Sequence, residues 1–229
     1  MNKNIYIRFA LASAITVSIA GCGDLQQTKV AFDKRIIKID SKSPIDLDHT
    51  GIAFMSLGSV GKCIGGVFTI EARSTSGEFS GLRFDAVTSN IFGASKGLIE
   101  SPKSCVAVIG MSLPPGNYEI SDAHWFFDLG TRSESIRSAR RIAVPFAVKA
   151  GEATYLGSFQ MVFLYGKDLF GNTVRSGGAY GVEDDFDRDL GKVRELRPEL
   201  QAVPVKAQLP ADNTGEKGFP RITAVAPGS

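Results

Sequence analysis

The stretch Val106–Phe127, VAVIGMSLPPGNYEISDAHWFF, holds two apolar runs separated by the residues Pro-Pro-Gly-Asn. Each run, Val106–Leu113 and Tyr118–Phe127, has the length and residue types of a strand. Between them, proline fixes φ while glycine and asparagine accept positive φ, which is typical of a tight turn. The stretch therefore predicts a strand, a turn and a second strand.

The same pattern of short apolar runs between Gly, Pro, Ser and Asn clusters extends over residues 36–182. Polar and apolar residues alternate within 67–72, and a period of two indicates strands buried on one face. A further turn signal lies at Lys149–Glu152. The expected strands are Gly51–Leu57, Gly66–Ala72, Val106–Leu113, Tyr118–Phe127, Ile142–Val148 and Thr154–Tyr165. We therefore expect a mainly β domain, an antiparallel β-sandwich.

One short C-terminal helix is expected at Asp184–Arg197. Phe186, Leu190 and Val193 recur at helical spacing, Asp184 can cap the first turn, and Pro198 ends the pattern. The sandwich domain is thus expected to span residues 36–197. Residues 198–229 contain five of the ten prolines and few large apolar residues, which predicts a flexible, disordered tail.

The N-terminus has the three parts of a secretory signal. Residues 1–8 are positively charged, residues 9–19 are apolar but too short for the about 20 residues of a membrane span, and small residues follow. Ile19-Ala20-Gly21-Cys22 resembles the lipobox of bacterial lipoproteins. The resemblance implies a signal peptide over 1–21, acyl chains on Cys22 and a tether over 22–35. Gly23 favours an outer-membrane address facing the periplasm.

The charge balance argues against a nucleic-acid partner. Removing residues 1–21 takes away two cations, so 24 Lys and Arg remain against 24 Asp and Glu. A formally neutral domain has no electrostatic attraction for nucleic acid. The expected partners are the membrane, through the lipid, and an envelope protein or glycan; no cofactor is expected.

Cys63 and Cys105 are the two cysteines that remain once Cys22 is assigned to lipid. In an oxidising compartment an even pair predicts a structural disulfide. Closing a loop of about 43 residues would stabilise the fold by ~4 kcal/mol in the chain-entropy model. The alternative, a reactive or metal-bound thiol pair, lacks a CxxC spacing and nearby histidines.

An acidic run raises the question of a cation site. Asp185, Asp187 and Asp189 have the spacing of the first three calcium-loop ligands. Leu190 and Leu196, however, stand where that loop needs its glycine and its glutamate. Acidic residues in the first turns of a helix are the favoured interpretation, since the helix dipole stabilises them there.

Only two histidines are present, His49 and His124, so no HExxH pair exists and no metal site is expected. In Ala-His-Trp-Phe-Phe, His124 is expected to be a structural residue beside core aromatics, and Trp125 to lie in the core. The alternative is an envelope hydrolase, in which His124 would meet a serine and a carboxylate such as Asp185 or Asp187 in an open cleft.

A glycine-rich loop follows the strand at Thr154–Tyr165. Loops on rigid β scaffolds often carry binding residues. Tyr165, Phe170 and Tyr180 are therefore candidates for a partner-binding patch. The alternative is a hairpin whose aromatic side chains fold back on the sheet.

Three segments together suggest a family. Leu113–Ile120, Pro145–Glu152 and Tyr155–Phe159 resemble uncharacterised bacterial envelope lipoproteins that carry a transthyretin-like or carboxypeptidase-regulatory-like β-sandwich. The resemblance implies a fold and transfers no catalytic residue. The sequence thus favours a non-enzymatic binding or structural module of the cell envelope over the hydrolase.

Overall fold

The computed structural model describes residues 36–88, 93–128, 133–138 and 142–211. Within these ranges the chain is mainly strand, as expected, with one α-helix and a 3₁₀ helix at Pro198–Leu200. The elements are β1 Gly51–Val60, β2 Val67–Ser74, β3 Leu82–Val87, β4 Leu98–Glu100, β5 Ser104–Leu113, β6 Gly116–Asp128, β7 Ser133–Arg137, β8 Val144–Val148, β9 Ala153–Lys167, β10 Thr173–Glu183, α1 Phe186–Leu196 and β11 Val205–Ala207.

The strands form two sheets that pack face to face. Sheet A has the order β10–β9–β1–β5–β4 with β11 beside β9, and sheet B has the order β3–β2–β6–β7 with β8 beside β6. Leu57 and Phe159 of sheet A and Phe68 and Trp125 of sheet B are fully buried in one shared core. The predicted sandwich is therefore confirmed, including the core position of Trp125.

Most strand pairs are antiparallel, but β9 runs parallel to both β1 and β11. For β1 and β9, the parallel direction arises because the two predicted turns connect the sheets rather than neighbouring strands. The turn after Leu113 leads from β5 in sheet A to β6 in sheet B, and Lys149–Glu152 leads back from β8 to β9. The Tyr118 hydroxyl donates a hydrogen bond of 2.7 Å to the Pro114 carbonyl and fixes the first crossing.

A second apolar cluster covers the outer face of sheet A. Phe54 and Tyr155 point outward from β1 and β9 and pack with Val193 of α1 and Leu200 of the 3₁₀ helix. The helix lies within the predicted range, but its N-cap is Asp185 rather than the predicted Asp184, whose carboxylate accepts the Phe186 N–H at 3.2 Å. The fold therefore has three layers, which are sheet B, sheet A and the helix in that order.

The prediction of a flexible tail from residue 198 is wrong for the first residues of that range. Leu200 is 2% exposed, and β11 pairs in register with Ala153–Tyr155 of β9. Since β10 pairs with Ser158–Lys167, β10 and β11 together line one edge of β9. The 3₁₀ helix and β11 therefore belong to the folded domain. The remaining tail at 212–229, the signal at 1–21, and the tether with Cys22 lie outside the described residues.

Candidate functional site

The β9–β10 hairpin extends past the end of the sandwich. β9 pairs with β1 only as far as Met161, opposite Ser59, and from Val162 to Lys167 it pairs with β10 alone. The tip of the hairpin is the turn between Asp168 and Asn172. This part of the predicted glycine-rich loop is therefore a two-stranded projection.

Asp168 organises the turn. One oxygen of its carboxylate accepts the N–H groups of Phe170 at 2.9 Å and Asn172 at 2.8 Å, and the other accepts the Asn172 side-chain amide at 3.0 Å. These hydrogen bonds hold the pKa of the Asp168 carboxyl below its ordinary value, with the Asn172 side chain as the largest contribution. Gly171 adopts a φ of 80°, which favours glycine.

The turn presents apolar side chains to solvent. Leu169 is 100% exposed and Phe170 is 89% exposed. Leu164, Tyr165 and Val174 of the adjoining strands are also exposed. These five residues are called the hairpin tip patch below. The alternative in which the loop aromatics fold back on the sheet does not hold for Phe170.

Tyr180 does not belong to this patch. Its ring packs against Phe68 of sheet B, with centroids 5.4 Å apart, and its hydroxyl donates to the backbone carbonyl of Ile136. Burial raises the pKa of Tyr180 well above its ordinary value. Of the three predicted binding aromatics, Tyr165 and Phe170 are thus available at the hairpin, whereas Tyr180 joins the two sheets.

The predicted disulfide is confirmed. Cys63 lies in the β1–β2 connection and is joined to Cys105 near the start of β5. Because Val60 at the end of β1 is opposite Ser104, the disulfide lies at the same end of the sandwich as the hairpin. The thiols of this pair are therefore not available as metal ligands.

The acidic run does not converge on a cation loop. Asp187 is exposed, whereas Asp189 is fully buried between α1 and sheet A. Arg188 lies between two carboxylates, with nitrogens 2.8 Å from Asp185 and 2.7 Å from Asp189. The cation that pairs with Asp185 and Asp189 is therefore the Arg188 guanidinium.

Hydroxyl groups complete the environment of Asp189. Ser56 and Tyr155 donate hydrogen bonds of 2.6 and 3.0 Å to the same carboxylate oxygen. Burial raises the pKa of Asp189, while Arg188 and the two hydroxyls act in the opposite direction. Burial and the Asp189 charge likewise raise the pKa of Tyr155 far above its ordinary value. Each polar side chain of this group thus has a partner within it. Because Ser56 and Tyr155 belong to sheet A and Asp189 belongs to α1, the group attaches the helix to that sheet.

His124 faces away from the core on the outer side of sheet B, next to the buried Trp125. Asp185 belongs to the helix layer on the outer side of sheet A, so the predicted set of His124 with Asp185 or Asp187 does not assemble. Two carboxylates that the sequence analysis missed, Glu71 and Asp122, lie near His124 instead. The ligand atoms of Glu71, Asp122 and His124 lie within 4.8 Å of one another.

Among the described helices, none has the length and apolar character that crossing a bilayer requires. No family model matches the chain, and no curated protein is significantly similar to it. One solved structure, a leucine-rich repeat protein from Bacteroides thetaiotaomicron VPI-5482, is similar over 76% of this chain and 27% of its own length. The identity is 10% and the TM-score 0.28. The chain thus spans about a quarter of that protein, and a similarity at this level informs neither fold nor function.

Proposed function

We propose that this chain is a lipoprotein of the bacterial cell envelope, a non-enzymatic module that binds a protein partner through its hairpin tip patch. The N-terminal pattern supports cleavage before Cys22 and lipid attachment there. Residues 22–35, which are polar and mixed in charge, would then serve as the tether between the lipid and the sandwich. The transthyretin-like resemblance belongs to this proposal, and the two-sheet sandwich is compatible with it.

The direction of the hairpin supports a partner away from the anchoring membrane. Ile37 exchanges hydrogen bonds of 2.9 and 2.8 Å with Ser112, near the end of β5 where β1 and β9 begin. The hairpin tip lies at the other end of β9, about 50 Å away for a strand of this length. An anchor on Cys22 would therefore attach to the end of the sandwich opposite the hairpin, with the patch at the end farther from the attachment point.

The exposure of Leu169 and Phe170 on a preorganised turn is the observation that carries the proposal. Isolated apolar residues are common on surfaces, but two adjacent and almost fully exposed ones on a projection are typical of an interaction site. The Asp168 hydrogen bonds fix the turn before binding, which lowers the entropic cost of association. Leu169 offers a glycan no hydrogen bond, so an apolar cleft on a protein fits better.

Lipid attachment is tested by mass spectrometry of the N-terminal peptide of the chain extracted from envelopes. We expect a peptide that begins at Cys22 and carries a diacylglycerol group, and no such species from Cys22→Ser. An unmodified Cys22, or a mature chain that begins elsewhere, would contradict the anchor.

Partner binding is tested by placing a photoreactive aromatic amino acid at position 170 in cells. We expect one discrete protein adduct that disappears when Leu169→Asp is added. The matched control is the same amino acid at Lys42, an exposed position outside the hairpin. Equal adducts at both positions, adducts to lipid, or none would refute the proposal.

A further inference from the structure

We propose that Glu71, Asp122 and His124 form a binding site for a divalent transition-metal ion of the zinc class on the outer face of sheet B. The three residues come from neighbouring strands: Glu71 of β2 is opposite Asp122 of β6, and His124 is opposite Thr69 in the next outward row. All three are partly buried, with ligand atoms within 4.8 Å of one another.

A β-bulge creates this arrangement. Before it, Tyr118 and Ile120 of β6 point into the core, whereas after it Ala123 and Trp125 do. The pairing with β2 shifts by one residue at this point, leaving Ser121 as the extra residue. Without the bulge, strand alternation would direct Asp122 and His124 into the core instead of outward. Bulges that re-aim side chains in this way are frequent at functional sites.

The three side chains are available as ligands. Within the described residues, the Glu71 carboxylate has no hydrogen bond or ion pair, and Nδ1 of His124 is buried without a partner. One Asp122 oxygen accepts the Ala123 N–H at 2.8 Å, which orients the carboxylate. The other lies 3.4 Å from Arg137, whose side chain is 65% exposed. That contact is long and solvated, so releasing it costs little.

The donor set indicates the class of ion. One imidazole nitrogen and two carboxylate oxygens suit zinc, whereas calcium and magnesium require more oxygen ligands. The two carboxylates balance the charge of a divalent ion. Tetrahedral bonds of about 2.0–2.2 Å place ligand atoms roughly 3.3 Å apart, so small side-chain rotations from the observed spacing close the site.

Three protein ligands leave one coordination position open. His124 also lines a shallow depression of about 320 Å³ whose wall carries Arg83, Ser135 and Arg137. A water molecule or a small anion beside the two guanidinium groups would fill this position. The site is independent of the proposed hairpin function, since it lies on a different surface and uses none of the patch residues.

The test is a titration of the metal-free, full-length chain with Co²⁺, followed through its visible absorption, and with Zn²⁺ by calorimetry. Cys22→Ser in every sample prevents lipid attachment and removes the thiol that an unmodified Cys22 would offer to a metal ion. We expect one ion per chain and an increase in melting temperature on adding Zn²⁺. His124→Gln should abolish the tetrahedral Co²⁺ absorption, and Glu71→Gln and Asp122→Asn should each weaken binding at least about tenfold.

Two matched variants control for surface binding. His49→Gln removes the only other histidine, which is exposed and pairs with Asp46, and Glu119→Gln removes a carboxylate elsewhere in β6. Both should bind as the parent does. The proposal is overturned if the parent binds no ion at micromolar concentration, or if His124→Gln binds as tightly as His49→Gln. Circular dichroism of each variant without metal separates ligand loss from misfolding.

Discussion

The outer faces of the two sheets differ in how their charged residues are satisfied. On sheet A, α1 covers the strands, and Asp189 is fully buried with Arg188, Ser56 and Tyr155 as partners. On sheet B, the outward charged side chains of β2 and β6 remain partly exposed, and Glu71 stays without a partner among the described residues. The comparison shows that a carboxylate can be paired with a cation next to it in the sequence, as Asp189 is with Arg188. Glu71 and Asp122, which are far apart in the sequence, instead meet on an exposed surface.

The largest expected effect comes from the covered face. Asp189→Ala leaves the Arg188 guanidinium partly buried without its closest partner, and should lower the free energy of unfolding by about 3–5 kcal/mol. Asp187→Ala, on the exposed side of the same helix, should cost less than about 1 kcal/mol. Urea unfolding at neutral pH measures both. Similar losses for the two variants would show that the helix layer does not depend on the buried ion pair.

Leucine truncation compares the covered face with the hairpin. Leu200→Ala removes a side chain that is 2% exposed beneath the helix layer and should cost about 2–5 kcal/mol. Leu169→Ala makes the same change at a fully exposed position and should alter stability by less than about 0.5 kcal/mol. Urea midpoints report the difference. A small effect at Leu200 would mean that residues after Pro198 add little to the second apolar cluster.

A smaller effect, with a distinct pH dependence, is expected at Glu183. Burial raises the pKa of its carboxyl above the ordinary value, and the Asp185 charge adds to this. Folding therefore favours the protonated form, and this contribution is lost as the pH rises through the raised pKa. Glu183→Gln keeps the protonated shape, so it should be more stable than the parent at pH 7 by up to about 1 kcal/mol. The gap should close below about pH 4. A gap that instead widens on acidification would contradict the sign of the shift.

The smallest effect is expected on the open face. Arg73 and Glu119 form an ion pair of 2.7 Å, with side chains 46% and 23% exposed. Glu119→Gln should lower stability by about 0.5 kcal/mol or less, because solvent screens the pair. The difference from the parent should vanish in 1 M salt. If the loss of stability in Glu119→Gln does not change with salt, solvent does not screen the pair, which would contradict the prediction.

Sequence patterns located the strands that contribute most to the core, because β2 alternates between apolar and polar residues and β1 and β5 are long apolar runs that are buried on both faces. They missed β3, β4, β7, β10 and β11. In β10, Gly177, Gly178 and Gly181 weaken the strand signal, and the strand forms because β9 supplies its hydrogen bonds. In β11, only three residues pair, and they follow prolines that indicate an irregular tail.

The two candidate sites also differ in how well the sequence alone predicts them. The hairpin turn with its aromatics could be recognised locally, because its glycines and Asp168 are neighbours in the sequence. Glu71, Asp122 and His124 could not, since their proximity depends on the register of β2 with β6 and on the extra residue Ser121. Register and bulges depend on packing of the whole sheet, which residue spacing alone does not specify.

The edge of β9 has a consequence for the order in which the chain is completed. The Ala153 N–H donates to the Pro204 carbonyl at 2.9 Å, and the Gln208 N–H donates to the Tyr155 carbonyl at 2.8 Å. During synthesis these partners leave the ribosome about 50 residues after the first part of β9, so that part of the strand remains with one edge unpaired until they appear. Unpaired strand edges recruit other chains. A chain that stalls before residue 204 would therefore expose an unpaired strand edge that can pair with other chains, and β11, the last strand among the described residues, is the one that covers it.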